Sequence, residues 1–555
     1  MLLELCNATI VDPLHSRHGQ CDSLFVRDGR FVAPPRERAE VAQQVDVQGD
    51  LVLAGGIDIH THIGGGKVNL ARLLMPAPPT ADSPRAVWPT VQTGERYSQM
   101  GYTACFEPAM LLSTARHTHL ELADTPHLDT GAYIVVGNED WLLHALGTGL
   151  EDAALDAYIG WTVAASQALA VKVVNAGGIS AFKYNQRALD VDQRHAQFGV
   201  TPREMIGRLS ASIERLGLAH PLHVHASNLG VPGNVDAALA TLAAADGHRI
   251  HLTHAQFNSY SAIGPYGMGS GAERLAAYVN AHSNVTLDIG QIVFGQTVTI
   301  SADTVAQFSH RRHAHPARWV VSDSECQAGC GVVPMRYQDK QYVHSLQWTI
   351  GLELMLLIED PWRVFLTTDY PNGGPFTSYP HLLRLLMDHS FRQSMLETIH
   401  PQAAKNSLLQ ELTRELTLDE VAIMTRAAPA KILGLTDRGT LSDGALADLA
   451  IYHAADNWQT TFSQARRVMK SGQWIEHGEA GTCGRAECHT LRAAPEFDRQ
   501  LVHRKFSAPI EQALRMPMNC LEIGSQEMQD LIRRPLVDGP RIVAATGQRG
   551  AGNAD

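Results

Sequence analysis

Nowhere in the 555 residues do lysines and arginines gather into a run, and the formal charge at neutral pH is -12. A nucleic-acid groove or an anionic membrane surface needs a concentrated positive field, so neither is expected. Uninterrupted apolar stretches of about 18 to 20 residues, the length of a membrane span, are missing too. The opening MLLELCNATIVDPLHSRHG has no basic segment and turns at Asp12-Pro13, unlike a signal peptide or an anchor. Cysteine is scarce: 8 residues at irregular spacing, with Cys326/Cys330 and Cys483/Cys488 as the near pairs. That excludes a disulfide scaffold and suits free thiols in a reducing cytoplasm, with a small metal site at either pair as the alternative. No C-x2-C-x2-C-x3-C run is present to hold an iron–sulfur cluster. What remains is a chain with 45% hydrophobic residues, enough for a large core, and chemistry directed at small molecules or protein partners.

Residues 1–55 read as short strands, with Asp28-Gly29 as a hairpin turn between alternating apolar residues. From residue 56 onwards, buried-looking strands alternate with alanine- and leucine-rich helical stretches. Among them are GAYIVVG, LAVKVVNAGG, HPLHVHAS, HRIHLTHAQF, NVTLDIGQ, WVVSDS and WRVFLTTDYPN. Strand and helix in repeated turn predict a parallel sheet, and about eight rounds suit a closed α/β barrel over 56–425. DRGTLSDGALADLAIYHA returns to a small β unit at 426–480, expected to pair with the amino-terminal strands and make that unit discontinuous. Residues 481–555 show no clear period and are expected to form an extension or a docking tail.

The stretch LAGGIDIHTHIGG carries the chemical signal. In a strand the side chains of His60 and His62 point the same way, so both can reach one ion. With 27 histidines in the chain, such a pair can also arise by chance. The same type of signal recurs at other strand ends: His223 and His225, His251 and His254, and Asp369. In a barrel the carboxyl ends of different strands converge on one mouth, where imidazoles and carboxylates can share a zinc-type site. Lys172 lies inside an apolar strand, where an ammonium is costly to bury. Either it pairs with a carboxylate or snorkels to the rim, or its amine is carboxylated and bridges two cations.

Taken together, GGIDIHTH, Lys172, His225, His254, Asp369 and the later G.L..G..ADL form resemble the amidohydrolase superfamily, metal-dependent hydrolases on a distorted (β/α)8 barrel with a small β-sandwich formed by both flanks. The longer stretches HIGGGKVNLARLLMP, VKVVNAGG, HVHASNLGVPGN, HLTHAQFNSY and TTDYPNGGPFTSYPHLL resemble the A-subunit family shared by formylmethanofuran dehydrogenase and the formyltransferase/hydrolase complex of methylotrophic bacteria. The resemblance implies two Zn2+ per chain. His60, His62, Lys172 and Asp369 would surround one ion; Lys172, as an N6-carboxylysine, would bridge to the other, held by His225 and His254. Lys183 is the rival to Lys172, His223 to His225 and His251 to His254.

The implied reaction is hydrolysis of the N-formyl group of a formylated furfurylamine cofactor of the methanofuran type, giving formate and free amine. Asp369 would pass the proton from the attacking water to the departing amine. Asn175, Asn228 and Gln256 follow the ligand strands and are candidates for orienting substrate. Residues 64–76 are expected to lie across the mouth as a glycine-rich loop, with Lys67 and Arg72 facing the glutamate-rich tail of the cofactor. The implied partners, in the cytoplasm, are two further subunits together with a formyltransferase subunit. The alternatives are the same site run backwards in a dehydrogenase complex, condensing formate with the amine, or a lone cyclic amidohydrolase of the dihydroorotase or hydantoinase type.

Overall fold

The computed structural model describes residues 1–75, 87–301, 320–322, 330–476 and 487–540; Cys326 and Cys483 fall outside them. Strands β1 (Leu2–Asp12), β2 (Arg17–Arg27), β3 (Arg30–Val32), β4 (Val41–Asp46) and β5 (Leu51–Ala54) open the chain. Asp28 and Gly29 both have positive φ, the conformation a two-residue hairpin between β2 and β3 requires.

Eight parallel strands follow: β6 (Gly56–Asp58), β7 (Tyr102–Met110), β8 (Asp129–Val136), β9 (Ala170–Val174), β10 (Leu222–His225), β11 (Ile250–Leu252), β12 (Val285–Asp288) and β13 (Val364–Phe365). Most read as apolar runs because helices cover their outer face and the barrel interior their inner face. The sheet curls until its ends meet. Beyond β6, Thr61 bridges Tyr370 beyond β13, and the His62 amide donates to the Tyr370 carbonyl at 2.8 Å. Strand β7, in YTACFEPAM, is a barrel member that the sequence pattern alone does not mark. Conversely, the segment predicted as WVVSDS supplies Val320–Ser322 to a separate antiparallel sheet with Cys330–Tyr337, because its partner lies in a hairpin-like excursion between β12 and β13.

Strands β14 (Leu449–Tyr452), β15 (Arg467–Lys470) and β16 (Gln473–Trp474) return to the first sheet, where β14 runs antiparallel to β5 with Leu449 opposite Ala54. Leu5, Ile10, Val52, Leu449 and Met469 share one core there.

The carboxy-terminal residues fold against their own barrel. Strand β17 (Thr490–Arg492) lies parallel beside the start of β8, and β18 (Leu536–Asp538) pairs with β17. Of the helices that bear on the site, α1 spans Gly66–Leu74, α2 Asp140–Gly147, α3 Asp152–Ser166 and α4 Arg499–Leu514. Helix α4 packs on α2 and α3 through Val502, Phe506 and Ile510, which recur every four residues. Covered on one side by the barrel and on the other by α4, α3 is apolar nearly all round, which is why DAALDAYIGWTVAAS shows no amphipathic period. Among the described residues no helix is long and apolar enough to cross a membrane.

A buried ionic knot ties the three parts together. Asp129, at the start of β8, receives Lys470 Nζ at 2.9 Å, Arg438 Nε at 2.7 Å and the His489 amide at 2.7 Å. Lys470 also meets Asp448 at 2.7 Å. Burial alone would raise the Asp129 carboxyl, but Lys470 and Arg438 hold it well below the usual carboxylate range. A carboxyl depressed in the folded state stabilises above its unfolded pKa of about 4 and loses that contribution as pH falls. Asp129→Asn is therefore expected to cost about 3 to 5 kcal/mol at pH 7 by leaving two cations short of a counter-charge. Denaturant melts of wild type and variant at pH 7 and pH 3 should show the gap narrowing in acid.

Candidate metal centre

The site is assembled where the closed barrel brings strand ends together. The Thr61 amide donates to the Phe106 carbonyl and the His62 amide to Tyr370, so the H-T-H segment is held extended between β7 and the chain after β13. In that conformation His60 and His62 both project inward. Their Nε2 atoms lie 2.9 Å and 3.3 Å from one oxygen, Asp369 Oδ1. All three side chains are buried, and their donor atoms lie within 4.8 Å of one another. His60 Nε2 makes no hydrogen bond among the described residues despite the short distance. Donors that crowd one point without bonding to each other are placed as ligands of a shared cation are placed.

The far side of each imidazole is fixed by its own carboxylate. Asp288 Oδ2 lies 3.1 Å from His60 Nδ1, and Glu107 Oε1 lies 2.8 Å from His62 Nδ1. A carboxylate accepts only, so each Nδ1 carries the hydrogen and each Nε2 keeps its lone pair for the centre. Asp288 is itself held by the His254 amide and the Thr367 hydroxyl, and Glu107 by the amides of Ile63 and Gly64. Below them Asp58 accepts from the His60 amide and the Tyr97 and Tyr379 hydroxyls; burial pushes its carboxyl up to about 6. Burial opposes charge on His60, yet Asp288 and Asp369 push its imidazole up to about 9. The pocket between these carboxylates favours a positive charge.

Lys172, in the middle of β9, is buried, and no hydrogen bond or ion pair engages its ammonium among the described residues. Burial pushes its amine down to about 8, against the pull of Asp369 and with the help of Lys67. Lys183 is elsewhere: it ends a short helix, partly exposed, 3.4 Å from Asp140. His225 and His254 face each other with ring centroids 4.5 Å apart, and His254 lies 5.5 Å from His60. His254 Nδ1 has no hydrogen-bond partner among the described residues. Their rivals lie one layer deeper in the barrel. His223 Nε2 approaches His60 Nδ1 at 3.2 Å, and His251 Nε2 meets Asp288 at 3.1 Å, so both line up behind the centre with Asp288. His60, His223 and Asp288 form a second group of close donor atoms there.

The predicted substrate residues divide. Lys67 is partly exposed, with no hydrogen bond or ion pair among the described residues, and lines a cavity with Val135 and Val174. Arg72 is turned away from substrate: its guanidinium binds the Ile63 and Trp88 carbonyls, Asn69 and Glu121. The expected loop across the mouth is helix α1 from Gly66 onward. Gly64 and Gly65 answer to packing, since a Cβ on Gly65, which has φ +92°, would meet Thr118 at 2.7 Å and one on Gly64 would meet Leu122 at 3.1 Å, whereas one on Gly66 would meet nothing within 4 Å. Asn228 donates to Asp190 on an outer loop, and the Asn175 amide donates to the His225 carbonyl, joining β9 to β10 beyond their ends. Gln256 is fully buried, and neither side-chain amide atom has a hydrogen-bond partner among the described residues. Glu107 and Asp288, which back His62 and His60, are not among the sequence-predicted site residues; Asp288 closes the apolar strand in NVTLDIGQ, whereas Glu107 lies within YTACFEPAM, which the pattern does not mark as a strand.

Comparison with known proteins agrees with this architecture. The amidohydrolase family matches residues 43–475. The chain is 44% identical over 492 residues to the FhcA chain of the formyltransferase/hydrolase complex of Methylorubrum extorquens, covering 86% of this chain and 89% of that one. It is 36% identical over 503 residues to protein FwdA of Methanocaldococcus jannaschii, covering 84% and 87%. The crystal structure of the formyltransferase/hydrolase complex FhcABCD from Methylorubrum extorquens with methylofuran contains a chain that superposes with a TM-score of 0.89 at 40% identity, over 97% of this chain and 100% of that one. With its curled parallel sheet, flanking β unit and buried histidine–aspartate cluster, the chain belongs to the amidohydrolase family, as a metal-dependent enzyme of that family.

Proposed function

We propose that this chain is the hydrolytic subunit of a cytoplasmic formyltransferase/hydrolase assembly, and that it cleaves the N-formyl group of a furfurylamine-type cofactor to formate and free amine. The observation that carries the reading is the likeness over 97% of the chain to a member of the complex solved with methylofuran. The 44% identity to the chain from the formyltransferase/hydrolase complex supports the hydrolytic direction.

The donor set fits divalent zinc: imidazole nitrogens, two of them with the far nitrogen held by a carboxylate, an aspartate, and a buried amine beside them. His60, His62, Lys172 and Asp369 would hold one ion, and Lys172, His225 and His254 the other. Bound there, the metal supplies Lewis acidity for the formyl oxygen and water ionised near neutrality. The amine of Lys172, brought down to about 8, has the free-base fraction that carboxylation by carbon dioxide requires. The resulting anion would relieve the cost of a buried ammonium. Asp369 Oδ1 faces both histidines, and Asn372 Nδ2 donates to it at 2.9 Å. From this position the carboxylate takes a proton from the attacking water and delivers it to the amine nitrogen as the C–N bond breaks. Asp288 and Glu107 hold the imidazole planes in place, and the free ammonium of Lys67 suits an acidic cofactor tail.

Purified as its native complex, the chain is expected to carry two zinc ions, and Lys172→Ala to reduce that to one or fewer, as read by elemental analysis. Formate release from N-furfurylformamide should fall by at least a thousandfold in Asp369→Asn. Asp288→Asn, which keeps shape but frees the His60 tautomer, is expected to weaken metal affinity by about 10 to 100-fold in a chelator competition. An unchanged affinity there would remove Asp288 from the metal-supporting layer.

A further inference from the structure

Behind His254 the chain buries a set of side-chain amides that none of the roles above uses. Gln256 and Asn258 lie in the 3-10 helix Ala255–Asn258, Gln291 follows β12, and Gln347 stands in the helix Tyr342–Leu357; all four are buried. Their segments meet at one corner. The backbone amide of Gln256 donates to the Ile289 carbonyl, and Gln347 Nε2 donates to the Tyr260 hydroxyl at 2.8 Å, two residues beyond Asn258. Gln291 Nε2 reaches the Trp348 carbonyl at 3.2 Å, and its Oε1 fills the place a Cβ would take on Gly351. Gln347 and Gly351 share one face of their helix. The same corner backs the metal centre, since a Cβ on Gly290 would lie 2.5 Å from His254 Cβ and 3.4 Å from Asp369 Cβ.

Six polar atoms of this corner have no hydrogen-bond partner among the described residues: Nε2 and Oε1 of Gln256, Nδ2 and Oδ1 of Asn258, and Oε1 of both Gln291 and Gln347. Amides buried this far from bulk water need partners. Their chemistry says which kind. Two NH2 groups donate and four oxygens accept, and none of them carries a formal charge. A cation would satisfy the oxygens and be repelled by the NH2 groups; an anion would do the reverse. Water does both, and because a buried water makes about three hydrogen bonds, these atoms call for at least about two of them. The turn they sit on also needs support. His254 holds φ at +37°, in the left-handed region that is costly for a residue with a side chain.

We propose that Gln256, Asn258, Gln291 and Gln347 bind an internal cluster of water molecules, and that this cluster holds the turn after β11 so that His254 faces its metal position. Gln256 and Asn258 are then positioning residues that act through His254, and Gln256, sealed behind the ligand, serves substrate only through it. The second part of the inference rests on the two-metal reading above. The two ions differ in how they depend on the corner. His254 is a ligand of one, shared with His225, and its backbone is held by Asp288 and the Phe257 amide. The water-bridged amides tie the rest of that turn to the helix Tyr342–Leu357. His60 and His62 are held instead by the junction of Thr61 with Tyr370, on the other side of the mouth.

The test uses the native complex. Crystals diffracting well enough to resolve water are expected to show two or more waters bonded to the Gln256 and Asn258 amides and linked to Gln291 Oε1 or Gln347 Oε1, before and after zinc is removed by chelator. Amides bonded directly to protein groups, with no water between, overturn the site. Soaking in thallium(I), whose anomalous signal reports potassium-type sites, should leave the corner dark; a peak there overturns its assignment to water. Gln256→Met keeps the length of the side chain and removes its hydrogen-bonding groups. In a chelator competition it is expected to weaken the second of two zinc ions at least tenfold and leave the first unchanged. Asn258→Ser, which leaves a hydroxyl and room for one more water, should keep both affinities within threefold. Equal weakening of the two ions in Gln256→Met, or no weakening, overturns the positioning role. A wild type that shows the waters but holds no ion at His225 and His254 when metal-replete overturns the two-metal reading and leaves the water site standing.

Discussion

The contact between the first and last strands of the barrel is the constraint on which the rest depends. Thr61 bridges Tyr370, and this one junction fixes the extended H-T-H segment on one side and Asp369 on the other. Residues far apart in the chain then present their donor atoms to the same point. If the sheet were open at that seam, His60 and His62 would be separated from Asp369, which would keep only its local bond from Asn372. Closure also determines what lies behind the site, because the inward residues of β10, β11 and β12 have nowhere to go but the barrel interior, where His223, His251 and Asp288 stack in one layer.

That interior layer is an unusual use of buried space. Five titratable side chains, Asp58, His60, His223, His251 and Asp288, are fully or almost fully buried, where each unpaired charge is expensive. They are tolerated because they satisfy one another: tyrosine hydroxyls and backbone amides hold the carboxylates, and the carboxylates hold the imidazoles. One direction is left unfilled, the side on which His60 Nε2, His62 Nε2 and Asp369 Oδ1 converge. The network therefore does two things at once, fixing ring orientation and leaving a surplus of negative field at the mouth. The ionic knot at Asp129 works by the same physics at the other end of β8, for cohesion between the β unit, the barrel and the carboxy-terminal strands.

Much of this was legible in the sequence, for identifiable reasons. A strand has period two, so H-x-H places both rings on one side whatever follows; Lys172 stood out as a charge inside an apolar strand, and Asp369 as the end of another. The strand return after Gly444 was visible in its turn glycines. Glu107 and Asp288 were not singled out, since a strand-borne acid has no local pattern that separates a support for histidine from a ligand. His223 and His225 share one face of their strand and cannot be told apart by spacing; in the structure the deeper His223 faces Asp288 and His60 while the outer His225 faces His254. Lys67 and Arg72 looked equivalent as cations in a glycine-rich stretch. Only the fold shows that Arg72 commits its fork to carbonyls while Lys67 stays free. The amphipathic spacing of Val502, Phe506 and Ile510 was present, but Pro509 within the same helix masked it.

A metal pair at the mouth, with the deeper histidine layer serving as its support, is the proposal on which the proposed chemistry stands. Anomalous diffraction from crystals of the native complex, recorded on either side of the zinc absorption edge, tests it most directly. Two peaks are expected, one in contact with His60 Nε2, His62 Nε2 and Asp369, the other with His225 and His254, with continuous density joining Lys172 to both. A peak lodged instead among His60 Nδ1, His223 and Asp288, or no peak at the mouth of a metal-replete and active complex, would contradict it.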